Sequence, residues 1–364
     1  MAEHGAQAMT NTGRKIKVLV VDDSAIVRKI LTETISVEQD MEVVGTAPDP
    51  YIARDKILSL LPDVLTLDIE MPRMDGLTFL KRLMQYHPMP VIVISSLGHS
   101  SCEASMEALR CGAVEVLAKP GGPYSIGELR TSLTSKLRAA ANARIRKPSV
   151  IPPAPPLHSQ ALQGGFREDA LIAIGASTGG TEAIRAVLTQ LPATTPGIVI
   201  TQHIPAVFSA AFAKRLNQLC AIEVKEACDG DEIRVGGALI APGNFHMIVQ
   251  RFGSKYRVQV QDGPQVCYQR PSVDVMFSSV AEAARADAVG VLLTGMGSDG
   301  AQGLLRMKRA GAKTIAQDEE SCVVYGMPRE AVKIGAADHI SPLSAISNEI
   351  LRLVSTHQKA ALRS

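Results

Sequence analysis

Apolar runs of strand length recur along the chain and alternate with amphipathic stretches of helical period. Between Lys17 and about Ala140 the runs are KVLVV, MEVVGTA, DVLTLD, VIVIS and AVEVLA, and helices fit the segments after Asp23, Pro50, Gly76, Ser101 and Ser125. Five strands separated by helices predict an α/β domain with a doubly wound, five-stranded parallel sheet. Pro148, Pro152, Pro153, Pro155 and Pro156 then crowd into one stretch. Proline at that density favours extended backbone and prevents helix, so the stretch reads as a linker. Alternation resumes with ALIAIG, GIVITQ, EVKEA, GALIAP, HMIVQ, YRVQVQ, AVGVLLTG and KTIAQ, and helices fit after Gly180, Phe208, Val273, Gly300 and Pro328. Over about 222–262 the strands have no long helices between them, which predicts an antiparallel excursion from a mainly parallel sheet. The expected division is a disordered leader at 1–15, a first domain at 16–140, a linker at 141–167 and a second α/β domain at 168–358.

Composition narrows the function classes. A chain of 364 residues, 46% hydrophobic and 20% charged, has room for two globular domains. A net charge of +2, no Trp and 4% aromatic residues exclude a strong electrostatic draw on nucleic acid and a base-stacking platform. The six cysteines form no Cys-x-x-Cys and no zinc-ligand spacing, so they read as free thiols of a reducing compartment. The N-terminal stretch lacks the apolar segment of a secretory signal, and VIVI and AVGVLL are far short of a membrane span. The expectation is a cytoplasmic protein with no nucleic-acid partner and no direct membrane insertion.

Residues 171–180, LIAIGASTGG, are an apolar strand breaking into a Gly-rich turn around Ser177. Gly175 and Gly179 are expected to permit a tight strand-to-helix turn. The hydroxyl would then stand above the carboxyl edge of a sheet, over a helix N-terminus that suits developing negative charge. GASTG fits a nucleophile elbow, and it fits a phosphate- or dinucleotide-binding turn equally well. The rest of the chain separates the two. GIVIT runs into Gln202-His203 and AVGVLL into TGMGSDG with Asp299, so parallel strands would gather Ser177, His203 and Asp299 on one edge. A dinucleotide site wants an acid after the second strand, where this chain reads TQHIP. The order Ser, His, Asp departs from α/β-hydrolases, whose histidine comes last. His246, in APGNFHM, is the one competing histidine and is given a supporting role.

In the first domain, Asp22 and Asp23 end KVLVV and Asp68 ends DVLTLD. Three carboxylates at neighbouring strand ends repel unless a hard divalent ion such as Mg2+ joins them. Ser95 and Lys119, at the ends of the fourth and fifth strands, add a hydroxyl and an ammonium suited to a phosphoryl group. With the contexts VVDDS, LDIEMPRMDG and AKP, residues 17–135 resemble the receiver domain of two-component response regulators. That resemblance implies that Asp68 is the phosphoacceptor, that Asp22 and Asp23 with Asp68 hold Mg2+, and that Ser95 and Lys119 respond to the phosphoryl group. Many receivers carry an aromatic switch residue three positions before that lysine. Here the position is Val116.

IGASTGG, TQHIP, APGNFHM, RPSVDVMF and TGMGSDG together resemble the catalytic domain of the chemotaxis protein-glutamate methylesterase/glutaminase family, CheB, over about 168–355. The resemblance implies that Ser177 is the nucleophile, His203 the general base and then acid, and Asp299 the orienting carboxylate. It also implies oxyanion donation by the Thr178 and Met296 amides. The implied substrates are glutamate γ-methyl esters and specific glutamines of methyl-accepting chemoreceptors. The implied phosphodonor is a chemotaxis histidine kinase, and the ester chemistry itself needs no cofactor. Gln269 stands where the family often has histidine.

Overall fold

The computed structural model describes residues 14–96, 98–119, 125–145, 165–167 and 169–355. The expected leader up to residue 13 and the proline-rich stretch 146–164 lie outside them. The first domain runs β1 (Ile16–Val21), α1 (Ala25–Ser36), β2 (Met41–Ala47), α2 (Pro50–Leu60), β3 (Val64–Asp68), α3 (Gly76–Tyr86), β4 (Val91–Ser95), α4 (His99–Arg110), β5 (Glu115–Ala118) and α5 (Ser125–Ala141). Its strands are all parallel in the order β2-β1-β3-β4-β5. Every residue of β3 and β4 is buried, as expected of strands covered by helices on both faces. Short polar side chains start the helices: Ser24 accepts from Val27 N, Asp49 from Tyr51 N and Ile52 N, and Asp75 from Thr78 N.

The second domain begins with β6 (Leu171–Ala176), α6 (Gly180–Leu188), β7 (Gly197–Gln202), α7 (Ala206–Leu219), β8 (Glu223–Glu226), β9 (Glu232–Ile233) and β10 (Gly237–Ile240). It continues with β11 (His246–Phe252), β12 (Lys255–Gln261), α8 (Val273–Ala283), β13 (Ala288–Leu292), α9 (Ala301–Arg309), β14 (Lys313–Gln317), α10 (Met327–Lys333), β15 (His339–Ser341) and α11 (Leu343–Val354). Seven parallel strands lie in the order β15-β14-β13-β6-β7-β10-β8. The antiparallel excursion is narrower than the stretch 222–262 suggests. Only β11, β12 and β9 form it, while β8 and β10 extend the parallel sheet.

The order of this sheet places the chemistry. From central β6 the chain first builds outward through β7, then returns to add β13 on the other side. Strand order therefore reverses beside β6, and the carboxyl ends of β13, β6 and β7 border one crevice.

The two domains touch. α4 packs on α7, with the Cys102 thiol donating to Val207 O at 3.4 Å and ion pairs Glu107–Arg215 and Glu103–Lys214 at 3.6 Å. Past α5, Arg144 N donates to Val323 O at 3.0 Å and its guanidinium bonds Glu319. A single apolar cluster runs through both domains.

Candidate active site

The turn after β6 differs from the expectation in one respect. Gly175 is not a turn glycine: it lies within β6, where a Cβ would come within 2.2 Å of the Val273 side chain. Its lack of a side chain lets α8 pack on the strand. Gly179 does make the turn, at φ +77°, and a Cβ there would come within 2.6 Å of Val323 Cβ. The turn is held from below, since Ser177 N donates to Thr294 O at 3.0 Å and Gln202 Nε2 donates to Ser177 O at 2.8 Å.

His203 follows β7 and is registered to β6 by its amide, which donates to Ala176 O at 3.1 Å. Its Nε2 lies 2.8 Å from Asp299 Oδ2. Its Nδ1 is buried and has no hydrogen-bond partner among the described residues. Ser177, His203 and Asp299 are only 4%, 5% and 2% exposed. The crevice thus joins the imidazole to the carboxylate, while no hydrogen bond links the Ser177 hydroxyl to the ring.

Asp299 lies beyond β13 in a loop that leads into α9. It accepts from four donors: His203 Nε2, Val273 N at 2.7 Å, Ser272 Oγ at 2.8 Å and Asp274 N at 3.0 Å. Burial alone would push its carboxyl up. The hydrogen bond and charge of His203 with the two amides outweigh it, and the carboxyl sits below its usual range. Two of those donors are the first amides of α8, where the helix dipole favours an anion. Ser272, the N-cap of α8, was not among the expected site residues, although a serine directly before an apolar-periodic run is a helix-start signal. Replacing Ser272 with Ala removes the cap and one donor. We expect a loss of about 1 kcal/mol in thermal unfolding and about a tenfold fall in ester hydrolysis.

His246 belongs to the support. Its Nε2 donates to Pro264 O at 2.9 Å, and its Nδ1 accepts from Ser272 N at 3.2 Å. Met296 lies half-buried between β13 and Asp299, and Gln269 is half-buried in the loop before α8. Thr178 is fully buried; its carbonyl accepts from Thr294 Oγ1, and its hydroxyl donates to Glu115 Oε2 of β5 at 3.2 Å. A cleft of about 800 Å3 opens between the domains, lined by Arg138, Arg144, Met296, Ser298, Tyr325 and Arg329 among others.

In the first domain, ligand oxygens of Asp22, Asp23 and Asp68 lie within 4.8 Å of one another. Lys119 Nζ sits 2.7 Å from Asp68 Oδ2 and pairs with Asp22 Oδ2 at 3.2 Å. Burial, against the Lys119 bond and with help from the Asp22 charge, pushes the Asp68 carboxyl up to about 6. The Ser95 hydroxyl is buried and, among the described residues, reaches Ser96 O and Ser101 O, at 3.4 and 3.5 Å. Val116 is buried in the apolar cluster that includes Met106 and Leu109 of α4, which leaves no aromatic rotamer there to switch.

Residues 172–350 match the CheB methylesterase family and residues 18–131 the response regulator receiver domain. A protein-glutamate methylesterase/protein-glutamine glutaminase of Syntrophus aciditrophicus is 57% identical over 93% of this chain and 99% of its own length. One of Methylobacillus flagellatus is 50% identical over 96% of this chain and 99% of its own. The CheB methylesterase catalytic domain of Thermotoga maritima superposes with a TM-score of 0.50 at 36% identity, covering 52% of this chain and 99% of that one. Identity of this extent runs through both domains, so the chain belongs to the CheB family of protein-glutamate methylesterase/protein-glutamine glutaminases, with a receiver domain ahead of the methylesterase domain.

Proposed function

We propose that this chain hydrolyses glutamate γ-methyl esters on methyl-accepting chemoreceptors and deamidates specific glutamines there, under control of phosphorylation at Asp68. The observation that carries the reading is the buried His203–Asp299 pair beside Ser177, with His203 Nδ1 left unpartnered. A neutral ring that donates from Nε2 to Asp299 presents a proton-accepting Nδ1. Ser177 Oγ attacks the ester carbonyl and its proton passes to Nδ1. The same proton goes to the departing methoxide, and methanol leaves. Water then attacks the acyl-enzyme and gives a proton to Nδ1, that proton returns to Ser177 as the acyl–oxygen bond breaks, and the glutamic acid product loses its own proton to solvent. With glutamine, ammonia leaves in place of methanol. The Thr178 and Met296 amides hold the developing oxyanion.

In the receiver, the three close carboxylates, two of them buried, fit a hard divalent cation. Asp22, Asp23 and Asp68 would hold Mg2+, which neutralises charge on an incoming phosphoryl group. A chemotaxis histidine kinase is the phosphodonor, and its phosphoryl group moves to an Asp68 carboxylate oxygen, within reach of Lys119 and the Ser95 hydroxyl. Both domains touch while the three catalytic residues are buried, which supports a resting state that a receptor segment does not enter. Among the described residues no helix is long and apolar enough to cross a membrane, which accords with work in the cytoplasm on the receptors' cytoplasmic parts.

Time-resolved methanol release from methylated receptor tests the reading. The rate is expected to rise with a small phosphodonor and Mg2+, and Asp68→Asn is expected to abolish that rise. No methanol under any condition would defeat the esterase assignment, and a stimulated Asp68→Asn variant would defeat the control.

A further inference from the structure

The receiver reaches the catalytic turn with a charge. Glu115 is 5% exposed and stands at the start of β5, the strand that leads to Lys119. Its Oε2 pairs with Lys136 Nζ of α5 at 2.6 Å and accepts from Thr178 Oγ1 at 3.2 Å. Thr178 is the residue after the nucleophile and is itself fully buried. On the adjoining residue, Gly179, the Val323 side chain packs where a Cβ would sit, and the Val323 carbonyl accepts from Arg144 N in the segment just past α5. The docked receiver therefore holds Thr178 directly, and bears on Gly179 only through Val323 of the second domain.

A buried carboxylate one side chain away from an oxyanion donor has a direct electrostatic consequence. The reaction builds negative charge at the amide of Thr178, and a fixed anion near it in a site shielded from water opposes that charge. Lys136 shares the same oxygen, Oε2, with the Thr178 hydroxyl and offsets part of the effect. We propose that Glu115 is an electrostatic brake: in the docked state its charge raises the barrier to forming the tetrahedral intermediate at Ser177, apart from any exclusion of substrate. The inference rests on the reading of Thr178 as an oxyanion donor and deepens it. Because Glu115 belongs to the receiver, separation of the domains removes the brake and leaves the carboxylate paired with Lys136.

Exclusion and a charge brake differ in what they do to a substrate small enough to enter. Exclusion of a receptor segment is not felt by a small ester, whereas a brake lowers kcat for both. Steady-state hydrolysis by the full chain is measured without phosphodonor, on methylated receptor and on a small carboxylic ester. Glu115→Gln keeps the shape and the acceptor oxygen and removes the charge. It is expected to raise kcat about five- to tenfold on both substrates, and to leave the phosphodonor-stimulated rate where the wild type has it. The rise is expected to persist in a Glu115→Gln/Asp68→Asn double variant, which no longer answers the phosphodonor. Unfolding temperature is followed throughout. If Gln loosens the fold, Lys136→Met serves instead, because it keeps the carboxylate and removes its partner, and it must push small-ester kcat down. An unchanged kcat for Glu115→Gln, a gain confined to kcat/KM for receptor, or a faster Lys136→Met variant would each overturn the brake. Wild-type protein that hydrolyses receptor under phosphodonor keeps the functional reading intact in all those cases, and wild-type protein that does not would end the reading and the brake together.

Discussion

Ser177→Ala is expected to cut methanol release from methylated receptor by at least about 10^4-fold, with little effect on folding. The serine is small, and among the described residues its hydrogen bonds run through the backbone, which Ala keeps, so its loss opens no cavity of consequence. The effect should therefore lie in kcat. His203→Ala should fall as far, since the base without the nucleophile and the nucleophile without the base are equally idle. The sharper measurement is the double variant. Residues that act as one unit give non-additive losses, so Ser177→Ala/His203→Ala should be no slower than either single variant. Losses that multiply would mean that the two side chains serve separate steps.

Asp299→Asn should be the second largest effect, about 10^4-fold in kcat, and it should also cost stability. All four donors around Asp299 point protons at its two oxygens. An amide has one oxygen, and its NH2 would face two donors wherever it is placed. The expected cost is about 2–4 kcal/mol at neutral pH. The pH dependence has a definite sign. The folded carboxyl lies below its ordinary value of 3.8, so the folded state binds fewer protons than the unfolded chain near that pH. The contribution is complete above the unfolded value and fades as pH falls through the folded one. Thermal unfolding of wild type and Asp299→Asn should thus differ most near neutral pH and converge only as the pH falls below 3.8 and through the lowered value of the folded carboxyl. A gap that stays constant to low pH would place the loss in packing instead.

Much of this was legible because a parallel sheet converts linear order into position. Ser177, His203 and Asp299 each follow an apolar run, and neighbouring parallel runs end on one edge. The acid pocket is legible for the same reason, with Asp22, Asp68 and Lys119 each closing a strand. What escaped has equally physical causes. Glu232–Ile233 and His339–Ser341 are too short for any periodicity, and β8 and β10 look like hairpin strands because the pieces between them are short. The helix Leu343–Val354 does carry an apolar stripe, buried through Ile346, Ile350 and Leu353, and went unread. The meeting of Glu115 with Thr178 has no local sign at all. Glu115 looks like any polar position at the start of a strand, and only the docking of one domain on the other brings it to Thr178.

β5 spans only Glu115–Ala118, with the brake at its first position and Lys119 directly after its last. Side chains alternate across a strand, so Glu115 and Leu117 share the side that faces α5, while Val116 turns toward α4. Inserting or deleting one residue here would reverse that parity and bury the carboxylate among the methyl groups of the opposite layer. Homologous chains that regulate in this way are therefore bound to an even spacing from acid to lysine, as in Glu115 and Lys119 here, which constrains insertions and deletions in this short strand.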